Sequence, residues 1–310
     1  MRIVFFGTPE FAVPSLRALL GEGFDVAAVV TQPDKPQGRS RSALIPPPVK
    51  AAAAEEGVSV LQPERPAEPD FIHELRGLKP DLGVVVAYGH ILRPEVLAVP
   101  PRGLINVHAS LLPKLRGAAP IQRALLDGLP ETGASIMQLD EGMDTGPVLY
   151  QLATPIASDE TGGELTVRLA ELGAEALVEA LELLGNDTLQ PQPQDDGQAT
   201  YAPKITRALA RIPWDEPAER IARLTRALDP KPGAWTQQGE REVKLFGPRP
   251  APSSGDGAAP GTVLRTEPAL WVTTGSGALE FAEVQPAGGE RMPVAAWVRG
   301  RGVRVRERFG

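Results

Sequence analysis

Short apolar runs alternate with amphipathic segments along residues 1–110. Four runs of continuous apolar residues have the pattern of parallel strands buried on both faces: 3–6, 26–30, 82–87 and 104–107. Between them lie segments with apolar residues three and four positions apart, which predict helices: 12–20, 49–56 and 70–78. Strands that alternate with helices predict an α/β fold with a doubly wound, mostly parallel sheet.

The pattern changes after residue 130. Two apolar segments, 134–139 and 148–155, flank the Gly-rich stretch GMDTGP and predict paired strands, and residues 163–184 carry the apolar stripe of a long helix. A polar stretch with three prolines, 187–203, predicts a linker. Beyond it, one helix at 217–228 and short alternating segments separated by Gly and Pro predict a small β-barrel.

Composition limits the class of protein. Apolar residues make up 42% of the 310 residues and charged residues 23%, as in soluble globular proteins, and no apolar run approaches the roughly 20 residues of a membrane span. The first residues lack the pattern of a secretory signal. Because the chain has no cysteine and only three scattered histidines, we expect neither disulfides nor a metal site. A cytoplasmic enzyme or binding protein is the remaining expectation.

The expected domains, residues 1–186 and 204–310 joined by a linker at 187–203, differ in charge. Residues 1–202 carry 15 basic and 27 acidic side chains, whereas residues 203–310 carry 17 and 12. An acidic body followed by a basic C-terminal part indicates that only the latter meets a polyanion. An ordinary solvated surface explains the same charges.

Common nucleotide-binding and hydrolase motifs are absent from the sequence. The first predicted strand leads into GTPEF rather than G-x-G-x-x-G, and neither a P-loop nor a G-x-S-x-G elbow occurs. Asn106 and His108, two positions apart at a strand end, point to one face, where an amide and an imidazole can donate hydrogen bonds to an oxyanion. Asp144, in the Gly-rich stretch, could orient His108. Structural hydrogen bonding alone can also explain each of the three residues.

Longer motifs resemble those of the folate-dependent formyl transferases. The supporting stretches are FFGTPEFAVPSL at 5–16, VVTQPDKPQGR at 29–39, PPPVK at 46–50, VVVAYGHIL at 84–92, INVHASLLPKLRGAAPIQRALLDG at 105–128, TGASIMQLDEGMDTGPVL at 132–149 and QPAGGERM at 285–292. N-V-H followed by S-L-L-P-x-x-R-G and then D-x-G-x-D-T-G is specific for this family. The resemblance covers essentially the whole chain and implies a Rossmann-like catalytic domain followed by an OB-like barrel.

The resemblance implies transfer of the formyl group of 10-formyltetrahydrofolate to the amino group of methionyl initiator tRNA, for translation initiation. Asn106, His108 and Asp144 match the family's catalytic residues. Asn106 and protonated His108 would stabilise the oxyanion, while Asp144 orients His108 and helps to remove the amine proton. The formyl donor is a co-substrate, and no metal or membrane partner is implied. We expect a monomer.

In the family, the pterin of the donor lies between the loop at 84–92 and the segment around 138–144. The donor-site residues that the resemblance implies are Val86, Ala87, Tyr88, Ile91, Leu92, Ser110, Leu111, Leu112, Pro113 and Asp140. Plain packing explains Val86 and Leu111 equally well. Arg116 is expected either to meet an acidic group of the substrate or to be solvated.

A basic loop is the first place where the resemblance implies contact with tRNA. In the family, a loop after the second strand enters the acceptor stem, and here residues 33–42 carry Lys35, Arg39 and Arg41 among Gly, Ser and Pro. The family's G-R-G-K/R-K-like run reads G-R-S-R-S in this chain. Arg39 is therefore the better match to the family, and the role of Arg41 is open.

The C-terminus is the second basic segment for which the resemblance implies contact with tRNA. In RGVRVRER, alternation predicts a strand that puts Arg304, Arg306 and Arg308 on one face, where Arg304 and Arg306 would contact tRNA on the barrel. A charged, solvated edge strand is the alternative explanation.

Other functions remain open at this point. A formyl transferase that acts on an amino sugar, a small amine or a glycinamide nucleotide would share the catalytic residues, and the loop at 33–42 distinguishes these from an enzyme that acts on tRNA. The alternative of another class is a folate- or nucleic-acid-binding protein without activity. Intact Asn106, His108 and Asp144 argue against it.

Overall fold

The computed structural model describes residues 1–37, 43–252, 257–300 and 302–310. The chain divides into two compact units. The first unit comprises residues 1–120, 131–155 and 166–202, and the second comprises residues 121–130, 156–165 and 203–310. The segment 187–202, expected to form most of a linker, thus lies within the first unit.

Strands and helices alternate in the first part of the chain. In order they are β1 (Arg2–Gly7), α1 (Val13–Gly21), β2 (Asp25–Val30), β3 (Lys35–Gln37), β4 (Ala43–Ile45), α2 (Pro48–Glu55), β5 (Val60–Leu61), α3 (Pro69–Gly77), β6 (Leu82–Val86), α4 (Pro94–Leu97), β7 (Leu104–His108), α5 (Pro120–Leu126), β8 (Glu131–Gln138), β9 (Val148–Pro155) and α6 (Gly162–Gly185). Helices α1 to α4 each have a proline at one of their first two positions, where a backbone N–H would have no helical partner.

A seven-stranded sheet forms the centre of the first unit, in the order β5-β2-β1-β6-β7-β8-β9. Strands β5, β2, β1, β6 and β7 are parallel, whereas β8 is antiparallel to both β7 and β9. Apolar side chains are buried on both faces, with Phe5 and Val84 in one cluster and Phe6 and Val85 in another. This two-sided burial explains the continuous apolar runs and confirms the predicted mostly parallel α/β sheet.

The second unit is built on antiparallel strands. The remaining elements are α7 (Ala218–Ala227), β10 (Ala234–Gln238), β11 (Arg241–Ala251), β12 (Val263–Arg265), β13 (Leu270–Thr273), β14 (Ala278–Pro286), β15 (Met292–Pro293) and α8 (Val294–Arg299). Their sheet has the order β10-β11-β14-β13-β12, with β15 beside β14. In its core, the Trp214 ring lies 6.0 Å from that of Phe281 and 5.9 Å from that of Phe309. The predicted OB-like antiparallel fold is confirmed.

The arginine-rich C-terminus is not the strand that alternation predicted. Residues 305–306 form a turn, and Arg306 has a φ of 70°. The Arg306 N–H donates to the Val263 carbonyl at 2.8 Å, while Val303 and Phe309 are buried on either side of the turn. The backbone bends because it buries these two apolar residues. The arginines that were predicted to share a strand face are exposed around this turn: Arg304, Arg306 and Arg308.

Several short elements gave no pattern in the sequence. They are β3, β4, β5, α4, α5, β10, β15 and α8. All of them span seven residues or fewer, too few to show a hydrophobic period. Among the described residues, no helix combines the length and the apolar character needed to cross a membrane.

Candidate active site

The carboxyl end of β7 lies where the sheet changes from parallel to antiparallel pairing. β7 pairs with β6 on one side and with β8 on the other, and its last residue, His108, is opposite Ser135. Asn106, two positions earlier, is half-buried, and its side chain makes no hydrogen bond to any residue that the structure describes. An unbonded amide at the carboxyl edge of a parallel sheet is available to a ligand.

His108 is 6% exposed and is contacted at both ring nitrogens. Its Nε2 lies 3.0 Å from the Leu115 carbonyl oxygen, and its Nδ1 lies 3.7 Å from Oδ2 of Asp144. Because a carbonyl oxygen can only accept, Nε2 carries a proton in this arrangement and Nδ1 faces the carboxylate. A second proton, on Nδ1, would be stabilised by the negative charge of Asp144. The structure thus brings together the histidine and the aspartate that the sequence predicted to act as a pair.

The loop that follows β7 positions the Leu115 carbonyl. Ser110 Oγ donates to the Lys114 carbonyl at 2.6 Å, and Ser135 Oγ donates to the Ser110 carbonyl at 2.5 Å. The Leu112 N–H donates to Ser135 Oγ at 3.1 Å. Residues 110–113, predicted as donor-site residues, therefore brace the loop against β8.

Asp144 lies in a loop, residues 139–147, that is bonded within itself. The Asp140 carboxylate accepts from the Gly142 N–H at 3.0 Å and from the Thr145 hydroxyl at 2.8 Å. A Cβ on Gly142 would lie 2.0 Å from Thr145 Oγ1, which explains a glycine there. Asp144 itself has a φ of 55°, in the left-handed region, and its Oδ2 accepts from the Gly117 N–H at 2.8 Å.

A cavity of about 400 Å³ opens beside these groups. Asn106 and Asp144 line it, whereas His108 lies behind this lining, with its Nδ1 3.7 Å from Oδ2 of Asp144. Five of the predicted donor-site residues also line it: Ala87, Tyr88, Ile91, Leu92 and Asp140. The other five lie outside its described lining: Val86, Ser110, Leu111, Leu112 and Pro113. Lining residues that the sequence analysis did not single out include Val85, His90, Leu97, Leu139 and Met143.

Tyr88 forms the deep wall of this cavity and is 1% exposed. Its carbonyl accepts from Thr8 Oγ1 at 2.8 Å and from Gln32 Nε2 at 3.1 Å, and its ring meets Phe6 edge-on at 5.5 Å between centroids. The phenolic oxygen has no hydrogen-bond partner among the described residues, and burial raises the pKa of Tyr88 to about 12. The phenol therefore stays protonated at neutral pH. By contrast, Ile91 is 91% exposed and offers an apolar surface to a ligand.

Arg116 is neither solvated nor exposed to a substrate. Its side chain is 2% exposed and is paired with Asp196 at 2.8 Å. Its Nε and Nη2 donate to Oε1 of Gln194 at 3.1 and 2.9 Å. The expectation that Arg116 meets solvent or an acidic substrate group was wrong, because residues 194–196 supply its acceptors. No local pattern in the sequence indicated this pairing.

Of the residues implied to contact tRNA, the structure describes Lys35, Arg304 and Arg306, and none of these three lines the cavity. Lys35, in β3, donates from Nζ to Oε1 of Gln32 at 2.6 Å. Arg39 and Arg41 lie outside the described residues. Arg304 and Arg306 are exposed in the second unit. Among the described residues, no group of His, Asp and Glu side chains is arranged to hold a metal ion.

An amide, an imidazole and a carboxylate lie close together beside a cavity at the carboxyl edge of an α/β sheet, a combination of groups that is typical of group-transfer enzymes. The family profile described as formyl transferase matches residues 1–181, and that described as formyl transferase, C-terminal domain, matches residues 204–302. The chain belongs to the formyl transferase family.

Full-length relatives are similar to this chain throughout. A methionyl-tRNA formyltransferase from Halorhodospira halophila is 50% identical over 301 residues, which cover 97% of this chain and 96% of the relative. A methionyl-tRNA formyltransferase from Symbiobacterium thermophilum is 48% identical over 313 residues, which cover 100% of this chain and 95% of the relative.

Solved structures share the fold at lower identity. The N-formyltransferase from Helicobacter canadensis, in complex with folinic acid and dTDP-3-aminofucose, has a TM-score of 0.70 at 17% identity and covers 94% of this chain and 100% of that one. HypX from Aquifex aeolicus, in complex with tetrahydrofolic acid, has a TM-score of 0.66 at 21% identity. The match covers 98% of this chain and 48% of HypX. At these identities the likeness establishes the fold alone.

Proposed function

We propose that this protein transfers the formyl group of 10-formyltetrahydrofolate to the amino group of methionyl initiator tRNA and so supplies formylmethionyl-tRNA for translation initiation. The observation that carries the proposal is the 50% identity to a methionyl-tRNA formyltransferase over 97% of the chain, which includes both profile matches. The protein acts in the cytoplasm as a monomer. Its parts are a catalytic domain (1–186), a connecting segment (187–203) of which residues 187–202 belong to the first compact unit, and a tRNA-binding barrel domain (204–310).

The formyl donor binds in the cavity beside Asn106. A flat pterin ring matches a space walled by Tyr88 and Leu92 with exposed apolar surface at Ile91 and Met143. Backbone groups of Ala87 and the loop at 139–147 supply the polar contacts. Five further residues support this site without lining the cavity: Val86, Ser110, Leu111, Leu112 and Pro113. Asp140 contributes to donor binding indirectly, because its side-chain hydrogen bonds maintain the shape of the loop at 139–147.

The reaction is an acyl transfer without a covalent enzyme intermediate. The amine of methionyl-tRNA attacks the formyl carbon, and negative charge develops on the formyl oxygen. The Asn106 amide and protonated His108 stabilise that oxyanion. Asp144 stabilises the imidazolium through Nδ1, 3.7 Å away, and assists removal of the amine proton. The bond from carbon to N10 of the folate then breaks, and N10 takes up a proton.

Basic side chains bind the acceptor. Lys35, Arg39 and Arg41 contact the acceptor stem, and Arg304 and Arg306 contact the backbone of the tRNA from the second unit. The excess of basic residues in 203–310 supports this assignment.

The test is a formylation assay with labelled 10-formyltetrahydrofolate and charged initiator tRNA. We expect label on the amino group of methionine and none on uncharged tRNA. Nucleotide-linked amino sugars, offered in parallel, should remain unlabelled. Label on an amino sugar or a small amine with none on methionyl-tRNA would overturn the proposal and favour the alternative formyl transferase.

A further inference from the structure

We propose that Gln194 is a positioning residue for the reaction: its side-chain amide holds the backbone of Asp144 so that the Asp144 carboxylate faces His108. This inference rests on the proposed function, because it assigns Gln194 to the catalytic role of Asp144. Gln194 lies 50 residues from Asp144 in the sequence, in the polar stretch that the pattern predicted as a linker.

The two ends of the Gln194 amide have different partners. Its Nε2 donates to the Asp144 carbonyl at 2.9 Å and to the Gly146 carbonyl at 2.7 Å. Its Oε1 accepts from Nε and Nη2 of Arg116 at 3.1 and 2.9 Å. Arg116 can only donate, so the orientation of the amide is determined: the oxygen faces the arginine and the NH₂ faces the loop. Both protons of the NH₂ are used on the Asp144 loop.

Arg116 provides a rigid support for this amide. It is 2% exposed, and its charge is paired with Asp196. Its backbone N–H donates to the Thr200 carbonyl at 2.9 Å, and its carbonyl accepts from the Ala202 N–H at 2.8 Å. Because the Arg116 guanidinium is buried and its backbone is hydrogen-bonded on both sides, the Gln194 side chain has little freedom to rotate.

Asp144 needs such support because of its backbone conformation. Its φ of 55° lies in the left-handed region, which Asp adopts more readily than most residues with a side chain but at a cost that surrounding contacts offset. Two contacts hold it: Gln194 on its carbonyl and the Gly117 N–H on its carboxylate, at 2.8 Å. Gly117 adjoins Arg116, so both contacts depend on the same buried arginine. Loss of the Gln194 donor frees the backbone that aims the carboxylate at His108.

The decisive variant is Gln194→Glu. A carboxylate at this position still accepts from Arg116, which preserves the support, but it cannot donate to the Asp144 and Gly146 carbonyls. Gln194→Met, which removes both functions, is the second variant. The matched control is Gln192→Glu, the same change at an exposed position whose side chain bonds only the Gln190 carbonyl among the described residues.

We expect Gln194→Glu to lower kcat for formylation by about 10- to 100-fold while KM for donor and acceptor stays within about threefold of the parent. Gln192→Glu should match the parent. In Asp144→Asn protein, the additional Gln194→Glu substitution should have little further effect on the single-turnover rate. The reason is that both substitutions act on one interaction: Asp144→Asn neutralises the carboxylate that faces His108, and Gln194→Glu displaces it.

A spectroscopic measurement tests the inference without any assay of formylation. The chain has three histidines, so the ring nitrogens of His108 can be assigned in isotopically labelled protein by comparison with His108→Ala. Gln194→Glu should shift the His108 signals in the direction of Asp144→Asn, and Gln192→Glu should leave them in place. A parent-like His108 spectrum and kcat in folded Gln194→Glu would overturn the inference. A parent that does not formylate methionyl-tRNA would instead overturn the proposed function, with the spectrum still deciding the role of Gln194.

Discussion

At the scale of single residues, polar groups around β7 fall into two sets. Asn106 has no partner among the described residues, and the pair of His108 and Asp144 is separated by 3.7 Å, longer than a direct hydrogen bond. Ser110 and Arg116, by contrast, have their hydrogen-bonding groups used within the protein. The Asn106 amide is therefore available to a substrate, whereas the hydrogen bonds of Ser110 and Arg116 maintain the shape of the site.

The first prediction concerns the catalytic set. Asn106→Ala and His108→Ala should each lower kcat by roughly two orders of magnitude or more, because the first removes a hydrogen-bond donor to the oxyanion and the second removes the positive charge of the imidazolium. Asp144→Asn should cause a similar loss, since an amide carries no negative charge to stabilise the imidazolium. Steady-state formylation, with circular dichroism to confirm folding, measures the effect. Near-parental rates in folded variants would show that these residues are structural.

The second prediction concerns Tyr88 and pH. The unfolded chain loses the phenolic proton near its ordinary pKa of 10, whereas the folded protein keeps it until the pH reaches about 12. The folded state therefore binds more protons across this interval, and the free energy of unfolding falls as pH rises through it, by at most about 1.4 kcal/mol per pH unit.

Ultraviolet titration of tyrosinate checks this expectation. A late step near pH 12 should be present in the parent and absent in Tyr88→Phe. Tyr201→Phe, at a residue that is 58% exposed, serves as the control and should keep the late step. Retention of the late step in Tyr88→Phe would assign it to another group.

At the scale of elements, the loop at 139–147 is the segment whose shape matters most for the site. Its carboxylate, hydroxyl and glycine contacts are local, so D-x-G-x-D-T-G describes it well. Its attachment to the rest of the first unit depends on two residues that are distant in the sequence, Gly117 and Gln194. The hydrophobic pattern of the sequence does not indicate that these residues contact the loop. Of the two strands that flank it, β8 is buried along most of its length, whereas β9 has half-buried and exposed residues, the pattern of a strand with one solvated face.

The third prediction tests the packing of this loop. A Cβ on Gly146 would lie 1.9 Å from the Gln138 carbonyl oxygen, so Gly146→Ala requires the backbone to move. We expect the free energy of unfolding to fall by about 1–3 kcal/mol, and kcat to fall as the loop shifts. Gly185→Ala is the control, because a Cβ there meets nothing within 4 Å. Urea denaturation measures the stability. Equal stability of Gly146→Ala and the parent would contradict the close approach.

At the scale of the whole molecule, charge and chemistry are divided along the chain. The cavity and the residues Asn106, His108 and Asp144 belong to the first unit, and the second unit belongs mostly to the part of the sequence with more basic than acidic residues. A polyanionic acceptor and a mostly apolar donor site should therefore respond differently to salt.

The fourth prediction follows from this division. Raising salt from about 50 to about 200 mM should weaken tRNA binding by about ten- to a hundredfold, because counterions compete for each phosphate contact. Donor binding should change little over the same range. Filter binding of labelled tRNA and calorimetry with a folate measure the two affinities. Equal salt dependence of both would contradict an electrostatic acceptor site.

The sequence by itself determined the longer strands and helices of the first unit, although not short elements such as β5 and α4, as well as the antiparallel character of the second unit and the alignment of Asn106 with His108. These features depend on local periodicity, which records the face that each residue buries. Only the tertiary structure decided that Asp144 meets His108, that Arg116 is buried, that the last arginines lie on a turn, and that Gln194 holds the Asp144 loop. The reason is physical. A buried polar group takes its partner from whichever segment folds against it, and Gln194 lies 78 residues from Arg116 along the chain.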